Sequence, residues 1–202
     1  MTRNDFIRTV VGKQLLKYVL MREFHREIRY DEIKIGKYGK PFLEGYPDVY
    51  FNISHSYEKV VCAINKCPVG IDIEYMKNIE FRQLADKFFH SNESLFINTE
   101  ETNAALFRFY KLWTLKESYI KCIGMGLSKQ LDSFYIDIGQ NDEIIVYDMN
   151  DIECSKKYKF YNMQCYNDYQ LSICSEYMDI DREGQILDYK CLANYLSINK
   201  RH

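Results

Sequence analysis

Proline and glycine are scarce in this chain, three and nine among 202 residues. That scarcity excludes collagen-like and low-complexity compositions. Long apolar runs are missing too: no window approaches the roughly 18 apolar residues that a membrane-spanning helix needs. The opening stretch "MTRNDFIRTVVGKQ" lacks the uncharged apolar centre of a secretory leader, so cytoplasmic residence and no membrane association are expected. There is little net charge, because 27 Lys and Arg stand against 29 Asp and Glu. A general affinity for nucleic acid or anionic membrane is thereby disfavoured, although a local basic pocket stays open. Cys62, Cys67, Cys122, Cys154, Cys165, Cys174 and Cys191 form no CxxC pair and no metal spacing with histidine, and read as reduced thiols, mostly in the core.

What is present is an ordinary globular mixture, 47 % hydrophobic and 28 % charged, rich in Tyr (18) and Phe (12). The length suits one sizeable domain or two small fused halves. Asp5 to Phe24 carries Phe6, Ile7, Val10, Val11, Leu15, Tyr18 and Val19 at helical spacing, with Asn4 or Asp5 as cap. Past the turn-rich "KYGKPFLEGYPD" come "VYFNIS" and "KVVCAINK", joined by His55 to Glu58, and then "PVGIDIE". These three predict a small antiparallel meander. "FRQLADKFF" and Thr102 to Ile123 return to the helical period, the second stopped by Gly124 and Gly126. "SFYIDIG", "EIIVYDM", "KYKFYNMQCY" and "YQLSICS" predict four more strands, and Ile186 to Ile198 a last helix. The order is helix then strands, twice, and "VYFNISHSYEKVVCAIN" echoes "KFYNMQCYNDYQLSICS". The expectation is an α+β chain of two halves, 1–76 and 77–202, with adjacent, mainly antiparallel sheets and a ligand site at their interface.

Chemistry concentrates in three places. In "VGIDIEYM", Asp72 and Glu74 are two residues apart on a strand and share a face, while Ile71 and Ile73 turn to the core. Side-by-side carboxylates raise each other's pKa unless a cation lies between them. A solvent-facing edge strand is the plain alternative. On the long helix, Trp113, Glu117 and Lys121 recur at i, i+4, i+8 and share one side. An exposed Glu–Lys pair has the same spacing, but the neighbouring Trp113 argues for partial burial. Three carboxylates with a lysine close by suit Mg²⁺ or Mn²⁺, whose octahedron water and a substrate phosphate complete. In "FNISHS", His55 between Ser54 and Ser56 offers donors to an anion, with a surface histidine as the alternative. Lys40 beside Pro41 and Arg8 in the first helix would complete a basic pocket.

The order "GKPF", "FNISHS", "PVGIDIE", "KFFHSNE", "FYKLWTLKESYIK", "GMGLSKQLDSF", spread over Arg8 to Ser175, resembles the 4′-phosphopantetheinyl transferases of the Sfp type. The resemblance implies two pseudo-symmetric α+β halves in one monomer, with coenzyme A bound between them. It implies transfer of the phosphopantetheine arm to a serine of an apo acyl or peptidyl carrier protein, leaving adenosine 3′,5′-bisphosphate. Asp72, Glu74 and Glu117 match the Mg²⁺ ligands, Lys121 the lysine near the reacting phosphate, and Glu93 an acid associated with deprotonating the serine. Ser54, His55, Lys40 with Pro41, and Arg8 with Thr9 match positions that contact coenzyme A. Carriers of peptide or polyketide synthetases are the implied partners, and the stretch from Phe88 to Phe96 with Met125 is a candidate surface for them. Departures from the pattern are the short stretch before the first helix, Tyr57 where a smaller residue is usual, and Met125 where a lysine is common. A carrier-binding module without turnover and a Mg²⁺-dependent nucleotide hydrolase use the same residues.

Overall fold

Helix α1 (Arg3–Phe24) is capped by Thr2, two residues before Asn4 and three before Asp5, the expected caps. Thr2 Oγ1 accepts the Asp5 amide at 3.2 Å, and the Asp5 carboxylate accepts the Thr2 amide at 3.0 Å, a reciprocal capping box. The computed structural model describes residues 2–99, 101–141, 143–148, 151, 154–176, 184–188, 190 and 192–193. The buried line of α1 is Gly12, Leu16 and Leu20, whereas Phe6, Ile7 and Val10 are exposed. Gly12 selects this face: a methyl group there would meet Ile53 Cγ2 at 2.9 Å, so only a glycine lets the helix lie this close.

A hairpin of β1 (Ile33–Ile35) and β2 (Pro41–Leu43), unforeseen in the turn-rich sequence, closes through Gly36 N–H to Lys40 O at 2.9 Å. β3 (Tyr50–Ser56) and β4 (Lys59–Asn65) form the expected second hairpin, in register from Tyr50↔Asn65 to Ser56↔Lys59. His55 therefore lies in the strand, and the turn is Tyr57 and Glu58, with Tyr57 in the left-handed region at φ 51°.

The meander stops there. β5 (Val69–Tyr75) pairs not with β4 but with β9 (Tyr169–Glu176), in a three-stranded antiparallel sheet ordered β5-β9-β8, where β8 spans Tyr158–Cys165. Its other edge meets polar side chains of β3: Asn52 Oδ1 accepts the Ile71 amide at 2.9 Å and Ser56 Oγ the Tyr75 amide at 3.0 Å. Polar residues of "FNISHS" thus satisfy the free strand edge across a seam between sheets, as buried amides require. Ile71 and Ile73 are buried as expected, but so is Asp72, so the exposed-edge reading fails.

α2 (Phe81–Phe88), α3 (Ser91–Asn98) and α4 (Thr102–Ile123) follow, α4 with its expected bounds and Gly124 as left-handed C-cap at φ 73°. α4 lies across β5 and β9. β6 (Phe134–Ile138) and β7 (Ile144–Asp148) make another hairpin, and α5 (Cys154–Lys157) leads into β8. The larger core gathers α2, α3, α4 and β6 to β9 around Phe109, Leu112, Leu115, Tyr119 and Phe134; a smaller one gathers Leu16, Leu20, Ile28, Leu43, Val49 and Phe51 under α1. The chain is α+β, built on small antiparallel sheets. Most of the helix expected over 186–198 lies outside the described residues, among which no helix is long and apolar enough to cross a membrane.

Candidate active site

Side chains from three elements converge on one open pocket of about 360 Å³: Ile53, Ser54 and His55 from β3, Asp72 and Glu74 from β5, and Trp113, Glu117 and Lys121 from α4. Strand alternation turns Asp72 and Glu74 to the α4 side, and the one-turn spacing of Trp113, Glu117 and Lys121 lines up the opposite wall. The two walls meet closely because Gly70 opens the strand. A methyl group there would stand 2.1 Å from Ser118 O and 2.4 Å from the Cys122 amide nitrogen, so any side chain would hold α4 away.

Lys121 Nζ donates to Asp72 Oδ1 at 2.5 Å and to Ser54 Oγ at 3.1 Å, and Ser54 Oγ donates to the same Asp72 oxygen at 2.9 Å. Asp72 Oδ2 is buried and has no hydrogen-bond partner among the described residues. Ser56 Oγ donates to Glu74 Oε2 at 2.7 Å. Burial raises the Asp72 pKa, against the opposing effect of Lys121. Glu74 is pushed up to about 7 by burial and then by the Asp72 charge. Glu117 is raised for the same two reasons. Three carboxylates and one ammonium leave the pocket short of positive charge.

Among the described residues no three acidic, histidine or cysteine side chains form a group that could hold a metal ion by themselves. The donor set nevertheless fits Mg²⁺, which is held through one or two carboxylates with water and substrate oxygens making up the rest. The unpartnered Asp72 Oδ2 is an oxygen that such an ion would satisfy.

Other expected site residues do not reach this pocket. Lys40 Nζ is occupied by two backbone carbonyls, Val69 O at 2.9 Å and Cys122 O at 3.1 Å. Pro41 sits in the β1–β2 ladder opposite Ile35. Arg8 bonds Tyr57 O at 2.8 Å and Asp5 at 2.5 Å, tying α1 to the β3–β4 turn, and Thr9 Oγ1 donates to Asp5 O at 2.8 Å. The basic pocket expected from Lys40, Arg8 and His55 is therefore not assembled: of the three, His55 alone lines the cavity.

Glu93 departs furthest from expectation. It is 2 % exposed, and its carboxylate accepts Lys116 Nζ at 2.8 and 2.7 Å, the His90 amide at 3.0 Å and the Ile136 amide at 2.8 Å. Lys116, fully buried, gives a further bond to Phe134 O at 2.8 Å. This is a buried ion pair joining α3, α4 and β6, with no free carboxylate oxygen facing the pocket. The spacing His90-x-x-Glu93 was a readable sign of helix capping, and α3 was not foreseen. Ile53 as a pocket wall and Ser56 as the Glu74 partner were missed as well, because neither carries a charge to draw notice.

Residues 68–174, just over half of the chain, match the family model of the 4′-phosphopantetheinyl transferase superfamily, and this span holds Asp72, Glu74, Glu117 and Lys121. The chain belongs to this superfamily. Its relatives include the 4′-phosphopantetheinyl transferase gsp of Aneurinibacillus migulanus, 36 % identical over 87 % of this chain and 71 % of that one. The 4′-phosphopantetheinyl transferase Sfp of Bacillus subtilis is 31 % identical over 93 % and 82 %. Among solved structures, the holo-[acyl-carrier-protein] synthase of Thermotoga maritima overlays 55 % of this chain and 62 % of its own, at 14 % identity and a TM-score of 0.46. Within the superfamily span the pocket places both acidic strand residues against the helix pair Glu117 and Lys121, while Ser54 and His55 reach it from outside that span.

Proposed function

We propose that this protein transfers the 4′-phosphopantetheine arm of coenzyme A to a serine hydroxyl of an apo acyl or peptidyl carrier protein. The observation that carries the reading is the single pocket in which Asp72, Glu74 and Glu117 face Lys121, Ser54 and His55. Ser54 and His55 come from the β3–β4 hairpin beside α1, and Asp72, Glu74, Glu117 and Lys121 from the β5-β9-β8 sheet and α4, which supports two packed units meeting at the reacting centre.

Attack on a pyrophosphate is limited by its negative charge and by positioning. Asp72, Glu74 and Glu117 are the residues that would hold Mg²⁺, which when bound offsets the charge of the pyrophosphate oxygens. Lys121 adds a second positive group on the helix side, and Ser54 and His55 supply hydrogen-bond donors to phosphate oxygens. The serine Oγ forms a bond to the phosphorus bearing the pantetheine arm, the bond to the bridging oxygen breaks, and adenosine 3′,5′-bisphosphate leaves with that oxygen. The serine proton passes to water in the open pocket rather than to Glu93, whose oxygens are already engaged. Cys62, Cys67, Cys122, Cys165 and Cys174 are free thiols, which fits a reducing cytoplasm, where we place the reaction.

The test is the intact mass of an apo carrier protein incubated with this protein, coenzyme A and Mg²⁺. A gain of one phosphopantetheine is expected, and none when either the protein or coenzyme A is left out. Release of adenosine bisphosphate without any carrier would replace the transferase with a hydrolase.

A further inference from the structure

The β5–α4 juncture carries both walls of the pocket, and one side chain from outside both elements ties it together. Lys40, at the end of the β1–β2 turn, sends its ammonium to Val69 O, the first carbonyl of β5, and to Cys122 O, in the last turn of α4. Its stem runs along the helix end, where a methyl group on Gly124 would come within 3.2 Å of Lys40 Cδ. At the same juncture Gly70 lets strand and helix backbones touch. Three residues past the Lys40 contact on the strand stands Asp72, and one residue before its contact on the helix stands Lys121. A cation bridging two carbonyls of different elements is a strong, directional tie, since charge-assisted hydrogen bonds are about twice as strong as neutral ones.

We infer that Lys40 is a positioning residue for transfer, a clasp that sets the distance between the carboxylates of β5 and the Glu117–Lys121 pair of α4, and not a ligand of coenzyme A. The inference rests on the transferase reading of the pocket. Side-chain occupancy separates the two roles: an ammonium already shared between Val69 O and Cys122 O has its strong contacts within the protein before any substrate arrives.

Lys40→Met keeps the apolar stem and removes the ammonium. Loss of the clasp is expected to lower kcat for carrier loading about tenfold or more, because a displacement near 1 Å at reacting groups costs up to about 10²-fold. The calorimetric Kd for coenzyme A is expected to stay within about twofold of wild type. An unchanged binding stoichiometry in the same titration would show that the folded fraction is intact, which separates lost positioning from lost protein. A Kd weakened about tenfold or more, with or without a change in rate, overturns the inference and gives Lys40 to coenzyme A. Unchanged rate and affinity overturn it too.

Amine acetylation of the wild-type protein, read by peptide mass spectrometry, keeps the inference testable if the variant does not fold. Lys40 is expected to react slowly beside Lys37, with and without coenzyme A. Fast labelling that coenzyme A suppresses would overturn the clasp. Failure of the wild-type protein to load any carrier would refute the transferase reading instead, while the labelling without coenzyme A would still report on the clasp.

Discussion

The Lys121 ammonium lies 2.5 Å from Asp72 Oδ1, and the two residues stand 49 positions apart in the chain. This contact binds α4 to β5 and settles one carboxylate oxygen, but among the described residues Asp72 Oδ2 has no hydrogen-bond partner, and the Asp72 charge adds to burial in raising both Glu74 and Glu117. A pocket built this way is poised for a further cation and for an anionic substrate that brings its own oxygens.

Asp72→Asn and Glu117→Gln preserve shape and remove negative charge from the pocket. Each is expected to reduce carrier loading by about 10²-fold or more, since metal stabilisation of transition-state charge contributes several kcal/mol. Steady-state loading rates at saturating coenzyme A check this. A wild-type rate in either variant would mean that the pocket is not the reacting centre.

Glu93→Gln strips the buried Lys116 ammonium of its counter-ion, and breaking one side of such a pair costs about 3–5 kcal/mol. A marked fall in urea midpoint is expected. The double variant Glu93→Gln with Lys116→Met removes the stranded charge and should recover much of that stability. It is also expected to load carrier within about tenfold of wild type at low temperature, less than the 10² to 10⁴ that losing a general base costs. An inactive but well-folded double variant would restore Glu93 as the base.

The Glu74 carboxyl titrates at about 7 in the folded protein against an ordinary 4.5. Its folded pKa is the raised one, so its contribution to stability is complete below the unfolded value and is lost as the pH rises through about 7. Metal-free protein should therefore melt at a lower temperature at pH 8 than at pH 5.5, and Glu74→Gln should flatten that slope. Mg²⁺ should raise the melting temperature more at pH 8, where the carboxylates are ionised, than at pH 5.5. A slope unchanged by Glu74→Gln would separate the titration from this residue.

Gly70→Ala would place a methyl carbon 2.1 Å from Ser118 O. Backbone must move to admit it, at a cost of several kcal/mol, about that of severe core overpacking. Thermal melting gives the size of the loss, and a variant as stable as wild type would show that β5 and α4 are not held at this distance.

Elements with strong local patterns were legible in the chain. The bounds of α4 follow from its apolar period and the glycine after Ile123, and β3, β4, β8 and β9 follow from β-branched and aromatic runs between polar turns. Short elements were not: β1 and β2 have three residues each, and α3 is held by His90 and Glu93 rather than by a strong apolar stripe. The buried face of α1 was misjudged because a glycine, which patterning does not count as apolar, makes its closest approach.

For the site, sequence alone determined the chemistry of the pocket: residue type, the two-residue alternation that pairs Asp72 with Glu74, and the one-turn spacing that pairs Glu117 with Lys121 are all local properties. Tertiary structure alone decided which polar groups remain available. Long-range partners are invisible to periodicity, so only the fold could show that Glu93 is spent on Lys116, that Lys40 is spent on two carbonyls, and that β5 leaves its neighbours in sequence to pair with β9. Each of these is a contact between distant segments, where burial makes every donor and acceptor seek a partner and the first to be enclosed is no longer free for a ligand.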